Sequence, residues 1–338
     1  MDKPKKDISI RDISRLSGVS IATVSRVLNN NNGRYSKETE RRVLETVEKY
    51  HYAPNRTARR LRTREQNFVA IIVPDITNEF FARICQSLQE GLLENGYLAL
   101  LCNTAESMET QRQYLDMLGI VNLAGIVFVS GSTDVSGVLA SKPIPTIYID
   151  RTPHEATLKT ALVVESDNAG GAAMAVRELY EKGCRHIAYL RCESPISTHV
   201  SRQAGYEAEL LRCGLTPDPA LIVRVDEASF SAAKQGIAAL LDAGADFDGI
   251  FCATDYLAAG AVAALDERGV DVPGRVKVVG FDDVSIASLN AKPITTVHQD
   301  IEKISGTAVA ELLRVIRGED GGARRFQIGV TLVRRQTT

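Results

Sequence analysis

The chain has no run of apolar residues approaching the roughly 20 that a membrane-spanning helix needs, and no apolar core follows its basic opening, MDKPKKDISIRD. A membrane partner is therefore not expected, and the opening does not read as an export signal. The expected location is cytoplasmic. No C-x-x-C pair occurs among the cysteines at 85, 102, 184, 192, 213 and 252. They lie beside apolar residues, as in ARICQSL and GIFCATD, and read as free, mostly buried thiols in a reducing compartment rather than as disulfides or metal ligands. His51, His154, His186, His199 and His298 show no metal spacing. There is no G-x-G-x-x-G after the first strand-like run, no Walker loop and no G-x-S-x-G. Asp282 and Asp283 are adjacent, but adjacent residues on a strand end point opposite ways, so they do not make a catalytic pair. No catalytic residue, metal or cofactor is expected. Leucine heptads are also missing, which argues for a homodimer over a tethered tetramer.

What is present is an uneven distribution of charge. The net charge of −2 hides two opposite parts. Residues 1–66 hold sixteen Lys and Arg against eight Asp and Glu, whereas the remainder holds 24 against 34. A head with eight surplus positive charges on a body with ten surplus negative ones points to a polyanionic partner for the head alone. At 338 residues and 44% hydrophobic content, two or three soluble domains are expected.

The head reads as three short helices. Ile10, Ile13 and Leu16 have helical spacing, and Gly18 ends that segment. Ser20 is a good N-cap for a second helix from Ile21 to about Leu28, with Val24, Val27 and Leu28 inward. Ile21, Ala22, Ser25, Arg26 and Asn29 are left outward. Ser36 caps a third, with Val43, Leu44, Val47 and Tyr50 inward. The second helix is rich in β-branched residues and intrinsically poor. Tertiary packing of its inner face, with a short outer face kept for close approach to DNA bases, explains that choice. This is the helix-turn-helix plan. Ser20, Thr23 and Ser25 would donate to phosphates, while Ile21 and Ala22 would meet thymine methyls. The alternative is a three-helix packing module with no DNA role; the charge split favours the DNA reading.

Next comes YAPNRTARRLRTREQN, with five arginines between Pro54 and Glu65. One reading is a solvated linker. The other is a short helix starting near Asn55, with Ala58 and Leu61 on one face and Leu61 as a wedge in the minor groove. Such a helix would be marginal alone and would form on DNA beside a second copy.

From Asn67 onward, strand and helix patterns alternate. FVAIIV, YLALLC, AGIVFV and IPTIYID make a first series, and TALVVES, HIAYLRC, LIVRV, GIFCA and VKVVGFD a second. The spacing predicts two doubly wound parallel sheets in similar subdomains, about 67–165 and 166–297. TTVHQDIEKISGTAVAELLRVIRG adds a helix and RFQIGVTLVRRQTT adds strand. Ligands of such sheets bind at the carboxyl ends of strands. Polar residues cluster there: Asp75, Thr77 and Asn78; Asp150 and Arg151; Arg191; Thr254 and Asp255; Asp282 and Asp283. Two facing rims of this kind suit a sugar, since hydroxyls accept from Arg and donate to Asp while Phe packs on the ring. The alternative is that these are helix caps and turn residues, which is favoured for Asp167 and Asp283.

IRDISRLSGVSIATVSRVLN, YAPNRTARRL, VAIIVPDITNEFFARICQSLQEGLLENGYLALLCNT, SDNAGG, RQAGYEAEL, FCATDYLAAGA, VVGFDDVSIASL and PITTVHQD, in this order and spacing, resemble the LacI–GalR (lactose-repressor/galactose-repressor) family of bacterial transcription regulators along the whole chain. Ser14 and Ser17 depart from the alanines usual in its first helix, and the turn NNNNGRY is about one residue longer. The resemblance implies a DNA-binding head over 1–53, a hinge over 54–66 and an effector-binding, dimerising body over 67–338. That body has the periplasmic-binding-protein type 1 fold: its first subdomain is completed by 298–325 and its second by 326–338. It implies a repressor that binds a pseudo-palindromic double-stranded operator as a homodimer, under control of a sugar-like effector. Arg202 matches the family's effector-anchoring arginine and Asp282 its hydroxyl-binding carboxylate. Asn78, Phe80, Asp150 and Thr254 fall at pocket positions, and Phe230 at a stacking position. The rivals are a solute-binding protein and a sugar-processing enzyme. The first would carry an export signal and no basic head; the second would turn over candidate sugars.

Overall fold

The computed structural model describes residues 8–28, 35–50, 67–129, 144–151, 161–193, 196–319 and 322–338. Asn29, Asn55, Ala58, Leu61, His51 and His154 lie outside these residues. The chain divides into two units, Met1–Glu65 and Gln66–Thr338.

In the first unit, α1 (Ile10–Ser17), α2 (Ile21–Leu28) and α3 (Lys37–Lys49) pack around Ile13, Val24, Val27 and Val43. Each helix start has its cap. Ser9 and Asp12 form a reciprocal capping box on α1. Ser20 accepts from the Thr23 N–H at 3.2 Å, and Ser36 from the Thr39 N–H at 3.2 Å. Gly18 takes φ 68°, the left-handed conformation that ends a helix. Its turn is tied down by polar groups. The Ser14 hydroxyl donates to the Val19 carbonyl at 2.6 Å, and Arg42 of α3 donates to the Ser17 carbonyl at 2.7 Å. Leu44 and Tyr50, expected inward, are exposed. On α3 the inward stripe is the i, i+4 pair Val43 and Val47; Leu44 is turned about 100° from it, and Tyr50 is already the C-cap.

The second unit contains two six-stranded sheets. In order along the chain its first elements are β1 (Phe68–Val73), α4 (Glu79–Glu94), β2 (Leu98–Asn103), α5 (Met108–Leu118), β3 (Leu123–Phe128), β4 (Thr146–Ile149) and β5 (Leu162–Ser166). Next are α6 (Asn168–Glu181), β6 (Ile187–Cys192), α7 (Ser197–Arg212), β7 (Ile222–Val225), α8 (Phe230–Asp242), β8 (Gly249–Cys252), α9 (Asp255–Glu267) and β9 (Lys277–Asp282). The rest are α10 (Ser285–Leu289), β10 (Thr295–Gln299), α11 (Ile301–Ile316), β11 (Arg324–Ile328) and β12 (Val330–Val333). The first sheet runs β11-β5-β4-β3-β1-β2 and is parallel throughout. Burial on both faces is why β1 and β3 read as unbroken apolar runs.

The second sheet runs β12-β10-β9-β8-β6-β7 and is parallel except at β12, which pairs antiparallel with β10. The exception has a topological cause. Only Gly329 separates β11 in the first sheet from β12 in the second. A chain running straight out of one sheet's carboxyl edge into the facing edge of the other must run against its new neighbours. The chain also crosses between sheets at Ser166–Asn168 and at Gln299–Ile301. TTVHQ, read as the approach to a helix, is the strand β10. All six cysteines are free, and five are buried.

Tyr189, Phe251 and Phe281 form an aromatic row across β6, β8 and β9, and Tyr206 of α7 stacks on Tyr189 at 5.0 Å. Beside it α6 and α7 meet backbone to backbone, because a Cβ at Gly205 would overlap the Ala169 carbonyl oxygen. Gly205→Ala is expected to cost about 2–3 kcal/mol through overpacking. The urea midpoint should fall while the m-value holds; an unchanged midpoint would mean the two helices separate freely.

Candidate functional site

Two strand ends carry aspartates in conformations that side chains rarely adopt. Asp150, after β4, has φ 59°, and Asp282, ending β9, has φ 113°. Such strain persists only where the surroundings enforce it. Here the enforcement is a buried polar chain that joins the two sheets. The Ser166 N–H donates to Asp150 Oδ1 at 3.2 Å and Asn168 Nδ2 donates to the same oxygen at 3.1 Å. Asn168 Oδ1 accepts from Arg202 Nε at 2.8 Å. Arg202 also donates to the Ala253 carbonyl, stands 3.6 Å from Asp282 Oδ1 and lies over the Phe281 ring at 3.6 Å. Gln299 Nε2 donates to Asp282 at 2.7 Å. Asp150, Arg202 and Asp282 are only 4–5% exposed.

Asn168 and Gln299, unnoticed in the sequence, thus link residues that were singled out there. Both sit in the short segments where the chain crosses between sheets, and that position in SDNAGG and TTVHQD was the available signal. Asp255 stood among the strand-end polar residues without an assigned role. It is fully buried, accepts from the Val284 N–H at 2.9 Å and the Thr296 hydroxyl at 2.5 Å, and burial together with the charge of Asp282 pushes its carboxyl well above the usual range. Asp282 is raised to about 7: burial dominates, Arg202 pulls the other way and Asp150 pushes further up. Ser166 Oγ and Gln299 Oε1 are buried without a hydrogen-bond partner.

The other strand-end residues singled out in the sequence have local structural partners. Asn78 caps α4, accepting from the Phe80 N–H at 3.0 Å, and Thr254 caps α9, accepting from the Leu257 N–H at 3.3 Å. Phe80 is in the core, edge-to-face with Phe81. Phe230 opens α8 and is 42% exposed. Asp167 caps α6, and Asp283 turns away from Asp282 to Arg335 and His298. Across the cleft, Glu79 of α4 accepts from the Ser285 N–H and hydroxyl at 2.8–3.0 Å, a direct tie between the subdomains.

In the head, Ile21 and Ala22 are exposed at the start of α2, Ser25 and Arg26 are half-buried, and Val24 and Val27 are buried. The Ser20 and Thr23 hydroxyls lie 2.9 Å apart, within the cap. No acidic residue occupies the first turn of α2. Its positive dipole end is therefore unopposed, as approach to phosphate requires.

The carboxyl of Asp282 has a testable sign. Its folded pKa of about 7 exceeds the unfolded value near 4. The folded state then holds the proton more tightly, and stability falls as pH rises from about 4 to about 7. Asp282→Asn should gain stability relative to the parent between pH 5 and pH 8, by on the order of a few kcal/mol. Parallel unfolding curves at both pH values would show that Asp282 titrates as an ordinary carboxylate.

Residues 9–55 match the family described as bacterial regulatory proteins, lacI family, and residues 176–338 match the periplasmic binding protein-like domain. The ribose operon repressor of Halalkalibacterium halodurans is 31% identical, over 98% of this chain and 97% of its own length. The transcriptional repressor PurR of Vibrio atlanticus is 30% identical, over 97% and 98%. Among solved structures, a complex of the regulator CelR with cellobiose has a TM-score of 0.76 at 27% identity, covering 98% of this chain and 100% of that one. A Lac repressor dimer bound to operator shares the fold, with a TM-score of 0.87 at 23% identity, covering 98% and 99%. A capped three-helix head, two facing α/β sheets and relatives matched along their full length lead to one conclusion: the chain belongs to the LacI family of bacterial regulatory proteins and is a DNA-binding transcription regulator, not an enzyme.

Proposed function

We propose that two copies of the chain bind a pseudo-palindromic operator in the cytoplasm, one head per half-site, and repress transcription under control of a sugar-like effector held between the subdomains. The observation that carries this reading is the buried chain Asp150–Asn168–Arg202–Asp282–Gln299 at the facing strand ends. It offers a guanidinium donor and carboxylate acceptors, with the orphaned Ser166 Oγ and Gln299 Oε1 beside them. That inventory suits vicinal hydroxyls, each both donor and acceptor. Relatives named for ribose and cellobiose support the ligand class. In this reading Arg202 and Asp282 hold the effector, and Asp150, Asn78, Phe80, Thr254 and Phe230 bound its site. The DNA contacts are Ser20, Ile21, Ala22, Thr23, Ser25, Arg26 and Asn29 in the major groove, with Asn55, Ala58 and Leu61 of the 54–66 hinge in the minor groove.

Specific control needs two heads, because one head with surplus positive charge gives mainly salt-sensitive, non-specific binding. An operator selected from random duplexes by the full chain is the test. Changing Ile21 and Ala22 should alter the selected sequence while effector binding persists. Arg26→Ala should lose about 1–3 kcal/mol of operator affinity if it reads a base, and less if it meets only phosphate. Unaltered selection in both variants would remove α2 from the groove.

For the cleft, Arg202→Ala and Asp282→Ala should each abolish the effector response while operator binding without effector persists. Each deletes a charge-assisted hydrogen bond worth roughly 1.5–3 kcal/mol. Normal responses from both variants would mean that the effector binds elsewhere.

A further inference from the structure

Arg191 is a cation without an adequate anion. Its side chain is 11% exposed, and its Nε is buried with no hydrogen-bond partner. One of its terminal nitrogens donates to the Cys192 carbonyl at 3.0 Å. Among the described residues its one ion pair is with Glu193 at 4.0 Å, and Glu193 is engaged more closely by Arg224 at 3.1 Å. A buried charge in this condition is costly unless something else neutralises it.

The fold also sets Arg191 next to Arg202. Alternation along β6 puts residue 191 on the same face as Tyr189. Tyr206 of α7 stacks on Tyr189. One turn back along α7 from Tyr206 is Arg202, and two residues forward along β6 from Tyr189 is Arg191; strand and returning helix run in opposite senses, so the two steps lead to the same place. The sheet register agrees. Leu190 pairs with Cys252, so Arg191 lies beside Ala253, whose carbonyl accepts from Arg202. Burial pushes the Tyr189 hydroxyl, which has no hydrogen-bond partner, up in pKa, and the charges of both Arg202 and Arg191 act against that push. Arg151, on the opposite subdomain, is already paired with Glu106 at 3.1 Å, so it does not compete for the same role.

We infer that Arg191 and Arg202, with the Tyr189 hydroxyl, form an anion subsite in the effector cleft, and that the effector carries a carboxylate or a phosphate as well as hydroxyls. The inference rests on the reading of this cleft as the effector site and narrows its ligand class. Arg191 selects the charged ligand: its Nε–H and one terminal N–H present the side-on pair of donors that a carboxylate or phosphate accepts.

The test is a calorimetric and thermal-shift comparison on the full chain at constant ionic strength, with neutral aldoses, their aldonates and their phosphates, glucose, gluconate and glucose 6-phosphate among them. At least one anionic member should bind ten times or more tighter than its neutral parent, and the aldonate and phosphate arms separate the two anion types. Arg191→Met should remove that preference and Arg191→Lys should restore part of it. Arg191→Gln replaces Arg191→Met if the latter fails to fold, judged by its unfolding curve and operator binding. Equal binding of charged and neutral members, or charged members binding as well to Arg191→Met, overturns the subsite. A neutral sugar that shifts operator affinity in that case leaves the effector reading standing. Operator affinity indifferent to every member overturns both.

Discussion

Arg202 is the constraint on which the body of this protein turns. A guanidinium at 4% exposure must have its donors accepted and its charge balanced, or the fold loses several kcal/mol. The acceptors come from three separate elements: the first residue of α6, the carboxyl end of β8 and the last residue of β9. None of these is near another in sequence. Satisfying Arg202 therefore holds α6, β8 and β9 at one point, and through Asn168 it reaches Asp150 of the other sheet. The positive φ at both Asp150 and Asp282 is the local consequence, since each strand end must turn its carboxylate toward the same centre. Its companion is the raised pKa of Asp282: one arginine shared with a second nearby carboxylate does not compensate burial in full.

Among the described residues, the contacts that couple the two subdomains are short and localised. Three crossings of one residue each, Asp167, Asp300 and Gly329, connect them, and Glu79 caps the start of α10 from the other side of the cleft. Val284 is buried in the first subdomain's core cluster although it follows the last strand turn of the second, and Tyr256 and Ile286 pack against that cluster. A change in the angle between the subdomains would break a charge-assisted pair of hydrogen bonds and expose that apolar seam. Such localised contacts favour discrete arrangements over continuous deformation. A ligand that bridges the facing strand ends acts on this balance only through its differential contacts in the two arrangements.

Much of this was legible in the sequence because it follows from periodicity. The helices of the head and the alternation of β and α repeat short patterns, and the capping residues Ser20 and Ser36 announce helix starts. β10 was obscured because TTVHQ runs directly into Asp300 and α11, and the helical pattern downstream dominates the window. The direction of β12 could not be read, since it depends on which sheet the chain has just left. The site divides in the same way. Arg202 and Asp282 stood out by their motifs, but Asn168 and Gln299 look like ordinary crossing residues until the sheets are placed. Conversely, Asn78 and Thr254 have a local task as caps that the strand-end pattern does not distinguish from a ligand contact. Leu44 was misplaced because an apolar residue beside a helical stripe differs from one within it by a single position.

The head shows the other limit of small size. Among its described residues the buried centre is Ile13, Val24, Val27 and Val43, with partly buried apolar side chains packed around them, a small core for a three-helix unit. Polar groups add to it. The capping box at Ser9, the Ser17 hydroxyl on the Ile13 carbonyl, the Ser14 hydroxyl on Val19 and the Arg42 guanidinium on Ser17 all converge on α1 and the turn that follows it. That turn sets where α2 begins. Ser14 and Ser17, the two departures from the usual alanines, are the residues whose hydroxyls hold the end of α1 and the turn. An alanine at either position would favour the helix interior by propensity but surrender a hydrogen bond at its end. The placement of Ile21 and Ala22 at the exposed start of α2 is thus secured by the hydrogen bonds around Gly18 together with the burial of Val24 and Val27.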